Sequence, residues 1–500
     1  MKQQRVVIIG GGFGGLAAAC LLGKAGYHVT VLEKNEQLGG RAGLLKADGF
    51  TFDTGPSWYL MPDVFEHFFT LMGENITDHL KLTQLSPAYR VFYKDTNQHL
   101  DITSNIDKDA ATFEAIEPGA GQQLKRYLSR AGYAYNVSMD RFLYKNYDRL
   151  SDFMTPEVLR AAPKLSLFST MDRYVGRFFK DPRLQKIVQY PLVFLGASPY
   201  NAPSLYSLMS HTDFSQGVFY PMGGMSQLVT SLVRIGTKHG VQYQTHATVE
   251  QITTIGRQVS GVMVNGKPLA ADVIISDADP WHTETALLPA NLRDHSDRYW
   301  RTRTLAPSAL LLYLGVNKQY SSIVHHNLLF SDDWRKNFAE LASPQHFPGD
   351  PSLYVCAPSK TDPSVAPKGH ENLFVLVPVA AGLQYSQNEL HTFSERVLET
   401  IEQEMQLPGL RKHLIYQKSF CVDDFAKTFN SLRGTGLGLS HTFTQTAIFR
   451  PSNKSKKVRG LYYVGANVNP GIGLPTTLIS AELAYKRITN DRSSGPLISL

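Results

Sequence analysis

The first 33 residues carry the pattern that most restricts what this chain can fold into. An apolar, strand-like run from Val6 to Ile9 leads into the glycine-rich segment 10–15 and then into the helix-forming run Leu16 to Leu22. A second strand-like run, from His28 to Leu32, ends at Glu33. Together these runs predict a βαβ unit, with a Gly-x-Gly-x-x-Gly turn between its first strand and its helix.

Each residue of this turn has a physical role in a dinucleotide site. Gly10 permits the tight turn, Gly12 lets the backbone approach a pyrophosphate, and Gly15 lets helix and strand pack closely. Free N–H groups at the start of the helix favour phosphate charge, and Glu33 accepts hydrogen bonds from ribose hydroxyls. We therefore predict a dinucleotide site rather than a purely structural glycine turn. Its residues in this region are Gly10, Gly12, Phe13, Gly14, Gly15, Glu33 and Lys34.

A second glycine pair follows closely, in Gly39-Gly40-Arg41, and a further turn contains Gly55-Pro56. NAD enzymes have no reason to carry a second glycine pair and an arginine here, whereas FAD enzymes of the glutathione-reductase type do. The pattern resembles the motif of amine-oxidase and desaturase flavoproteins, in which the arginine sits by the pyrophosphate. We therefore predict FAD, bound also by Gly40, Arg41, Gly55 and Pro56. The alternative for Arg41 is a surface arginine that caps a loop.

The rest of the chain alternates in character. Residues 106–179 have a helical, aromatic-rich pattern, and residues 218–290 return to α/β character with a predicted strand from Tyr243 to Ile252. Asn265-Gly266 predicts a tight hairpin, and a long helix is predicted from Glu389 to Met405. Near the C-terminus, a strand and a glycine-rich turn lead into a helix and predict a second wall of the cofactor site. Further candidate cofactor-binding residues are Val249, Gly465, Ala466, Gly473 and Leu474.

Composition excludes several classes of protein. With 43% hydrophobic and 19% charged residues the chain is globular. Its three cysteines, Cys20, Cys356 and Cys421, are too few and too widely spaced for a disulfide scaffold. A net charge of +7 without a long basic block argues against nucleic acid and is compatible with an anionic membrane surface. We expect no signal peptide, because residues 1–4 are polar and a strand-like run follows directly. We expect no membrane-spanning helix, because prolines interrupt the long uncharged stretch 187–212.

Taken together, the motifs resemble those of the bacterial carotenoid desaturases, which act on phytoene or diapophytoene and belong to the amine-oxidase-like flavoproteins. The resemblance covers nearly the whole chain. The motifs that carry it are residues 10–15, 39–41, 49–56, 219–225, 449–451 and 461–482. The resemblance implies bound FAD, a membrane-embedded polyene substrate and stepwise insertion of double bonds. The chain departs from the family at Asn469, where many members have histidine, so we assign no catalytic base.

The expected fold class is α/β, with a Rossmann-like FAD domain of the glutathione-reductase type that is discontinuous in sequence. We predict that residues 1–90, 215–290 and 415–500 form this FAD-binding domain. Residues 91–214 are expected to form a helical cap that associates with the membrane. Residues 291–414, with part of the cap, are expected to form a substrate-binding domain containing a mixed sheet.

The expected function is FAD-dependent desaturation of a C40 phytoene-type polyene by hydride transfer to the flavin. Alternatives are a C30 diapophytoene desaturase, a carotenoid terminal oxidase or isomerase, and a prenyl-binding escort protein without redox activity. An amine oxidase is disfavoured, because the C-terminal motif lacks an obvious aromatic pair that would flank the flavin. The final electron acceptor, quinone or oxygen, stays open. We expect the protein in the cytoplasm, peripherally bound to the membrane.

Three further clusters have simpler interpretations. His325-His326, beside Asp332-Asp333, predicts no metal site, because adjacent residues of a strand point to opposite faces. Asp423-Asp424 is expected at a helix start or as a solvated pair, rather than as a carboxylate dyad. Residues 161–180 combine apolar and basic side chains, which predicts either a monotopic membrane patch or a cap helix packed on the substrate domain.

Overall fold

A five-stranded parallel sheet contains the predicted βαβ unit. The computed structural model describes residues 4–94, 98–148 and 169–500. With strands numbered in chain order, this sheet consists of β1 (Arg5–Ile9), β2 (His28–Leu32), β9 (Gln242–Gln244), β13 (Val273–Ser276) and β19 (Leu461–Tyr463). Their order is β19-β13-β1-β2-β9, and β1 lies between β2 and β13 with Ile8 opposite Val31 and Ile275. The sheet draws on distant parts of the chain, and the predicted α/β fold class is confirmed.

The helix after the glycine turn is buried almost completely. This helix, α1 (Phe13–Lys24), has eleven of its twelve residues buried and packs against α8 (Ser226–Lys238) and α14 (Leu474–Thr489). Its small Gly and Ala side chains allow both neighbouring helices to approach closely. In α14, Pro475 stands in the first turn, where its fixed φ favours a helix start. Both ends of the chain therefore supply a helix that begins at the same edge of the parallel sheet.

A seven-stranded mixed sheet forms the second layer. It consists of β6 (Tyr89–Phe92), β7 (His99–Ile102), β14 (Ser308–Val316), β15 (His326–Leu329), β16 (Leu353–Cys356), β17 (Glu371–Val379) and β18 (Leu414–Phe420). Their order is β18-β14-β17-β16-β15-β6-β7, and all neighbours are antiparallel except β6 and β15. The central strands β14 and β17 are buried almost throughout, which explains their continuous apolar runs.

Three smaller sheets lie beside the two large ones in the described part of the chain. Two pairs are β3 (Leu44–Ala47) with β4 (Phe50–Asp53) and β5 (Leu82–Gln84) with β8 (Phe219–Pro221). A three-stranded antiparallel sheet consists of β10 (Val249–Ile255), β11 (Gln258–Val264) and β12 (Lys267–Ala270). Asn265 and Gly266 join β11 to β12 with φ of 46° and 72°, so the predicted tight hairpin is confirmed.

The predicted strand from Tyr243 to Ile252 is wrong in one respect, because it is two strands in two sheets. β9 ends at Gln244, and His246 has a left-handed φ of 54°. The backbone N–H groups of His246 and Ala247 then donate to the carbonyl oxygens of Asn35 and Glu33. The chain therefore turns across the end of β2 before β10 begins.

The helices are concentrated between residues 106 and 238. Besides those already named, the structure contains α2 (Pro62–Leu71), α3 (Ile106–Ile116), α4 (Ala120–Ser138), α5 (Met171–Val175), α6 (Pro182–Gln189), α7 (Leu208–His211), α9 (Pro280–Ala286), α10 (Asp297–Arg301), α11 (Trp334–Leu341), α12 (Gln387–Glu404) and α13 (Val422–Phe429). The long helix α12 begins after Ser386 in a capping box with Glu389, close to its predicted start. Asp423 and Asp424 lie in the first turn of α13, as predicted.

The segment 91–214, predicted as a helical cap, differs from that expectation at its N-terminal end. β6 spans the predicted boundary at residue 90, and β7 follows within the segment; both belong to the seven-stranded sheet. The boundary at residue 415 likewise falls within β18. β6 and β18 hydrogen-bond to β15 and β14, which are distant in sequence, whereas β7 pairs with its neighbour β6. The sheet to which these strands belong is therefore not evident from the local sequence.

Residues 161–168 of the predicted membrane patch lie outside the described residues. In the described part, residues 169–180, the apolar side chains of Tyr174, Phe178 and Phe179 are buried, whereas Arg173, Arg177 and Lys180 are exposed. This part therefore packs as the cap alternative describes, with its basic side chains outward. Across residues 4–94, 98–148 and 169–500, no helix combines the length and apolar character needed to cross a bilayer.

Candidate active site

A cavity of about 740 Å³ opens where the parallel strands β1 and β2 end, and it extends to the seven-stranded sheet. Ile9 and Leu32, the last residues of β1 and β2, line one part, and Leu311, Leu328 and Leu376 line another. Open α/β sheets bind ligands at the carboxyl ends of their parallel strands. The volume lies within the range of small-molecule and cofactor sites.

The structure brings the predicted site residues to this one cavity, with a single exception. Those that line it are Gly10, Gly12, Phe13, Gly14, Glu33, Lys34, Gly40, Arg41, Gly55, Pro56, Val249, Gly465, Ala466, Gly473 and Leu474. Gly15 does not line it; a Cβ there would collide with the carbonyl oxygen of Gly10. Gly15 therefore serves the helix–strand packing that the sequence predicts, and the others are positioned to contact a ligand.

The two glycine turns pack directly against each other. The Gly39 N–H donates to the Gly11 carbonyl oxygen at 2.7 Å, and a Cβ on Gly40 would lie 3.1 Å from the Gly12 Cα. Helix α1 begins after Gly12 without a side-chain cap. N–H groups in the first turn of a helix have no partner within the helix, and together with the helix dipole they attract an anion.

Glu33 is held in a fixed orientation at the end of β2. Its buried carboxylate accepts from the Gly11 N–H at 2.8 Å and from the Asn35 N–H and side-chain amide, each at 2.8 Å. Next to it, the Lys34 ammonium donates to the Lys427 carbonyl and to Asn430 Oδ1, both at 2.9 Å. Lys34 therefore ties the C-terminal part of α13 to this rim of the cavity.

Arg41 has a buried guanidinium whose contacts within the protein are weak. Its Nη2 lies 3.4 Å from the Thr435 carbonyl oxygen, and its Cζ lies 5.2 Å from the centre of the Phe429 ring. Its Nε is buried and has no hydrogen-bond partner among the described residues. An unsatisfied buried donor of this kind calls for an acceptor, and the phosphate oxygens of a dinucleotide supply one.

Two acidic residues that sequence reasoning missed, Asp277 and Asp279, follow β13 at the same edge of the sheet. The Asp277 carboxyl group lies beside the glycine turn, where it would contact a Cβ on Gly12 or Gly14. Burial raises the pKa of Asp277 to about 8, so the group is neutral at pH 7 and does not repel a pyrophosphate. The available signal was the polar run after a buried strand, at the position where such sheets bind ligands.

A buried arginine shapes the C-terminal wall. Arg450, from the Phe449-Arg450-Pro451 motif, donates to the carbonyl oxygens of Leu439, Ala466 and Val468 at 3.1, 2.6 and 3.2 Å. Burial lowers the pKa of Arg450 to about 10, which still leaves the side chain charged at pH 7. These bonds hold Ala466 in place at the cavity. Asn469, the position of the family departure, is not among the lining residues.

The half of the cavity next to the seven-stranded sheet has a different character. The described lining residues from segments 54–61, 190–209, 307–354 and 376–378 include no Asp, Glu, Lys, Arg or His. The lining residues that can carry charge all lie in the other half: Glu33, Lys34, Arg41, Asp277, Asp279 and His282. The cavity thus joins a charged, anion-binding half to an uncharged half with mainly aromatic and aliphatic walls.

One side of the uncharged half, the aromatic wall, is formed by Trp58, Tyr190, Phe194 and Tyr354, with Trp58 at its centre. The Trp58 ring stacks on His326 at 4.1 Å between centroids and lies 5.4 Å from Phe194. The Tyr354 hydroxyl lies 2.8 Å from Ser57 Oγ and 2.7 Å from His326 Nδ1, so it braces the wall from behind. The wall is aromatic and uncharged, suited to an elongated hydrocarbon.

Comparison with known proteins agrees with this geometry. Residues 13–489 match the family described as flavin containing amine oxidoreductase. The chain is 46% identical to a carotenoid 3,4-desaturase of Haloarcula japonica, with 98% of this chain and 99% of the relative aligned. It is 37% identical to the zeta-carotene-forming phytoene desaturase of Myxococcus xanthus (97% and 94% aligned). It is 31% identical to a 4,4'-diapophytoene desaturase of Staphylococcus haemolyticus (98% and 99% aligned).

Solved structures support the fold. An oxidoreductase from Methanosarcina mazei aligns over 95% of this chain and 98% of its own, with a TM-score of 0.64 and 17% identity. Putrescine oxidase bound to putrescine aligns over 98% of both chains, with a TM-score of 0.61 and 14% identity.

The family match and the relatives above show that the chain belongs to the flavin-containing amine oxidoreductase family, within its carotenoid desaturases. It is an oxidoreductase with FAD as its cofactor.

Proposed function

We propose that this protein is a desaturase that introduces conjugated double bonds into a C40 polyene. The observation that carries the proposal is the continuous cavity, in which an anion-binding half opens into an uncharged aromatic half. A dinucleotide needs the first half, and a long hydrocarbon without polar groups needs the second. The names of the relatives at 46% and 37% identity support a carotenoid substrate.

The chain's residues would divide the work as follows. The N–H groups at the start of α1, together with Arg41, hold the pyrophosphate, and Glu33 accepts from the ribose hydroxyls. When bound, FAD supplies the hydride acceptor. The aromatic wall around Trp58 binds and orients the polyene and excludes water, so that an allylic C–H lies at the flavin. We assign no proton acceptor among the side chains.

The position of desaturation gives a second candidate within the same chemistry. The name of the Haloarcula japonica relative favours desaturation at the 3,4 position of a carotenoid, rather than at the central bonds of phytoene. The relative named for C30 diapophytoene is 31% identical, and we propose the C40 class in preference to it.

We further propose that the five-stranded sheet layer holds FAD and that the seven-stranded sheet with the helices of residues 106–214 holds the polyene. Because such a substrate partitions into lipid, we propose that the protein docks peripherally on an anionic membrane surface. The exposed basic side chains of the described segment 169–180 support this proposal. A quinone in the same membrane, or oxygen, would reoxidise the flavin.

The test uses the FAD-loaded protein under anaerobic conditions with liposomes that contain phytoene, lycopene or diapophytoene. We expect longer-wavelength polyene bands with phytoene or lycopene and a matching loss of oxidised-flavin absorbance. Bands with phytoene favour central desaturation, and bands with lycopene alone favour the 3,4 position. Turnover of diapophytoene alone would refute the C40 assignment, and an unchanged flavin with all three would refute desaturation.

A pair of variants links the activity to the uncharged half of the cavity. Leu376 faces the cavity from β17, so Leu376→Arg places a charge where the polyene would lie. We expect it to abolish turnover while FAD stays bound. Ile255→Arg is the matched control, because Ile255 is 79% exposed and lies outside the cavity lining. Unchanged turnover in Leu376→Arg would place the substrate elsewhere.

A further inference from the structure

Two histidines and a cysteine meet behind the aromatic wall. Cys356, on β16, is paired directly with His326 on β15, and His325 immediately precedes that strand. Because β15 begins only at His326, the strand alternation expected for adjacent residues does not apply. The two imidazole rings lie 4.5 Å apart, and one potential ligand atom from each of the three residues lies within 4.8 Å of the others.

The hydrogen bonds of the two imidazoles are typical of metal-binding histidines. His325 Nδ1 lies 2.7 Å from Thr361 Oγ1, and His326 Nδ1 lies 2.7 Å from the Tyr354 hydroxyl. Nε2 of each ring is buried and has no hydrogen-bond partner among the described residues. In metal sites, one histidine nitrogen is held by the protein and the other is left for the ion. Buried nitrogens without partners are otherwise rare and costly.

The surroundings can also accommodate the charge of an ion. All three side chains are at most 3% exposed, so an ion bound by them would be shielded from solvent. Asp362 is buried near His325 and accepts from the Gly223 N–H at 2.6 Å and from Ser364. A divalent cation would be neutralised by a Cys356 thiolate and the Asp362 carboxylate together, without a net buried charge.

Space for a small fourth ligand lies on the Cys356 side of the cluster. A small cavity of about 10 Å³ reaches Cys356 and is lined by Ser57, Tyr220 and Asn372, among others. This volume is roughly that of one water molecule. In a tetrahedral zinc site with bonds of about 2.0–2.3 Å, ligand atoms lie roughly 3.3–3.7 Å apart. To bind one ion, the distances between the three ligand atoms would have to shorten by about 1.5 Å at most, which small rotations of the side chains can provide.

We propose that His325, His326 and Cys356 bind one Zn²⁺ ion, with water as its fourth ligand. Two imidazoles and a thiolate suit zinc, which is not redox-active and favours four ligands. The ion would join the adjacent strands β15 and β16 directly behind Trp58. Its role is structural: it fixes the ring of His326, on which Trp58 stacks, and through it the wall of the cavity. The inference does not depend on the identity of the substrate.

The test is the metal content of the purified, FAD-loaded protein after dialysis against metal-free buffer. We expect about one zinc ion per chain by plasma mass spectrometry. Cobalt exchanged into the protein should give the intense ligand-field bands of tetrahedral coordination, at longer wavelengths than the flavin absorbs. The thermal midpoint of the zinc-loaded protein should lie above that of the chelator-treated protein, because an ion bound only to the folded state stabilises it.

Matched serine variants separate the site from adventitious binding. Cys356→Ser should lower zinc content at least tenfold, whereas Cys421→Ser, at another buried free cysteine, should retain it. FAD content reports whether each variant is folded. If Cys356→Ser does not fold, the cobalt spectrum of the wild-type protein decides. Zinc below a tenth of an equivalent without tetrahedral cobalt bands would overturn the proposal, as would equal zinc in both variants; the small cavity would then hold water only.

Discussion

Replacement of Arg41 by alanine should weaken FAD binding far more than it weakens the fold. The guanidinium is buried, yet its contacts within the protein are one long hydrogen bond of 3.4 Å to Thr435 and a ring contact with Phe429. Its Nε has no partner in the described structure. The stabilising interactions of this side chain are therefore expected mainly with the bound cofactor.

The magnitude follows from the bonds that a pyrophosphate would accept. One or two charge-assisted hydrogen bonds contribute about 2–4 kcal/mol, which corresponds to a loss in FAD affinity of roughly 30- to 1000-fold. Arg41→Lys keeps the charge but loses the planar fork of donors, so its affinity should fall between the two.

The assay is titration of the apoprotein with FAD, followed by flavin fluorescence, together with urea unfolding of each apoprotein. Arg411→Ala serves as the control, since Arg411 is exposed and pairs only with Glu402 at the surface, an interaction worth little. Wild-type FAD affinity in Arg41→Ala would refute the placement of the phosphates. A loss of apoprotein stability as large as the loss of affinity would show that Arg41 is structural.

Three further outcomes are expected. Gly15→Ala should destabilise the protein by about 1–3 kcal/mol in urea, because the added Cβ meets the Gly10 carbonyl oxygen. Gly349→Ala should be nearly neutral, since a Cβ added there would lie 3.7 Å from its nearest atom, Glu340 Oε1; equal urea midpoints for the two variants would contradict this. Burial raises the pKa of Asp213 to about 8, so the folded state binds a proton more tightly than the unfolded state and wild-type stability falls as pH rises from 4 to 8. Asp213→Asn removes this term, so its thermal midpoint relative to wild type should rise across that range, and parallel profiles would refute the argument. Replacing the basic side chains of segment 169–180 with alanine should weaken binding to anionic liposomes by about 1 kcal/mol per residue, and binding that neither these changes nor high salt reduces would refute an electrostatic dock; the residues are Arg173, Arg177 and Lys180.

The parts of the structure that sequence predicts are those with short-range causes. The βαβ unit, the hairpin at Asn265-Gly266 and the start of α12 each depend on residues that are neighbours in the chain. The glycine turns are also predictable, because the close approach of two backbone segments permits only glycine, and that requirement is visible in the sequence. Fifteen of the sixteen predicted site residues accordingly lie on one cavity.

The parts that sequence does not predict depend on distant partners. Strand β6 has only four residues and pairs in parallel with β15, so Val91 lies opposite Leu328, a residue more than 200 positions away in the sequence. After β9, the N–H groups of His246 and Ala247 donate to the carbonyl oxygens of residues 35 and 33. The residues of segment 243–252 alone do not indicate this break between two strands. The position of Asp277 at the cofactor cavity and the pairing of His326 with Cys356 both depend on the order of strands in their sheets, which only the structure shows.

The strand order of the parallel sheet has a consequence for how the protein is made. The strand β13 is flanked by β1, from the start of the chain, and by β19, which begins at Leu461. The residues that close the cavity, from Gly465 to Thr477, follow β19. A ribosome must therefore synthesise the chain past Thr477 before the second wall of the FAD site can form. Until then, the glycine turn of the first βαβ unit has only residues from earlier parts of the chain around it.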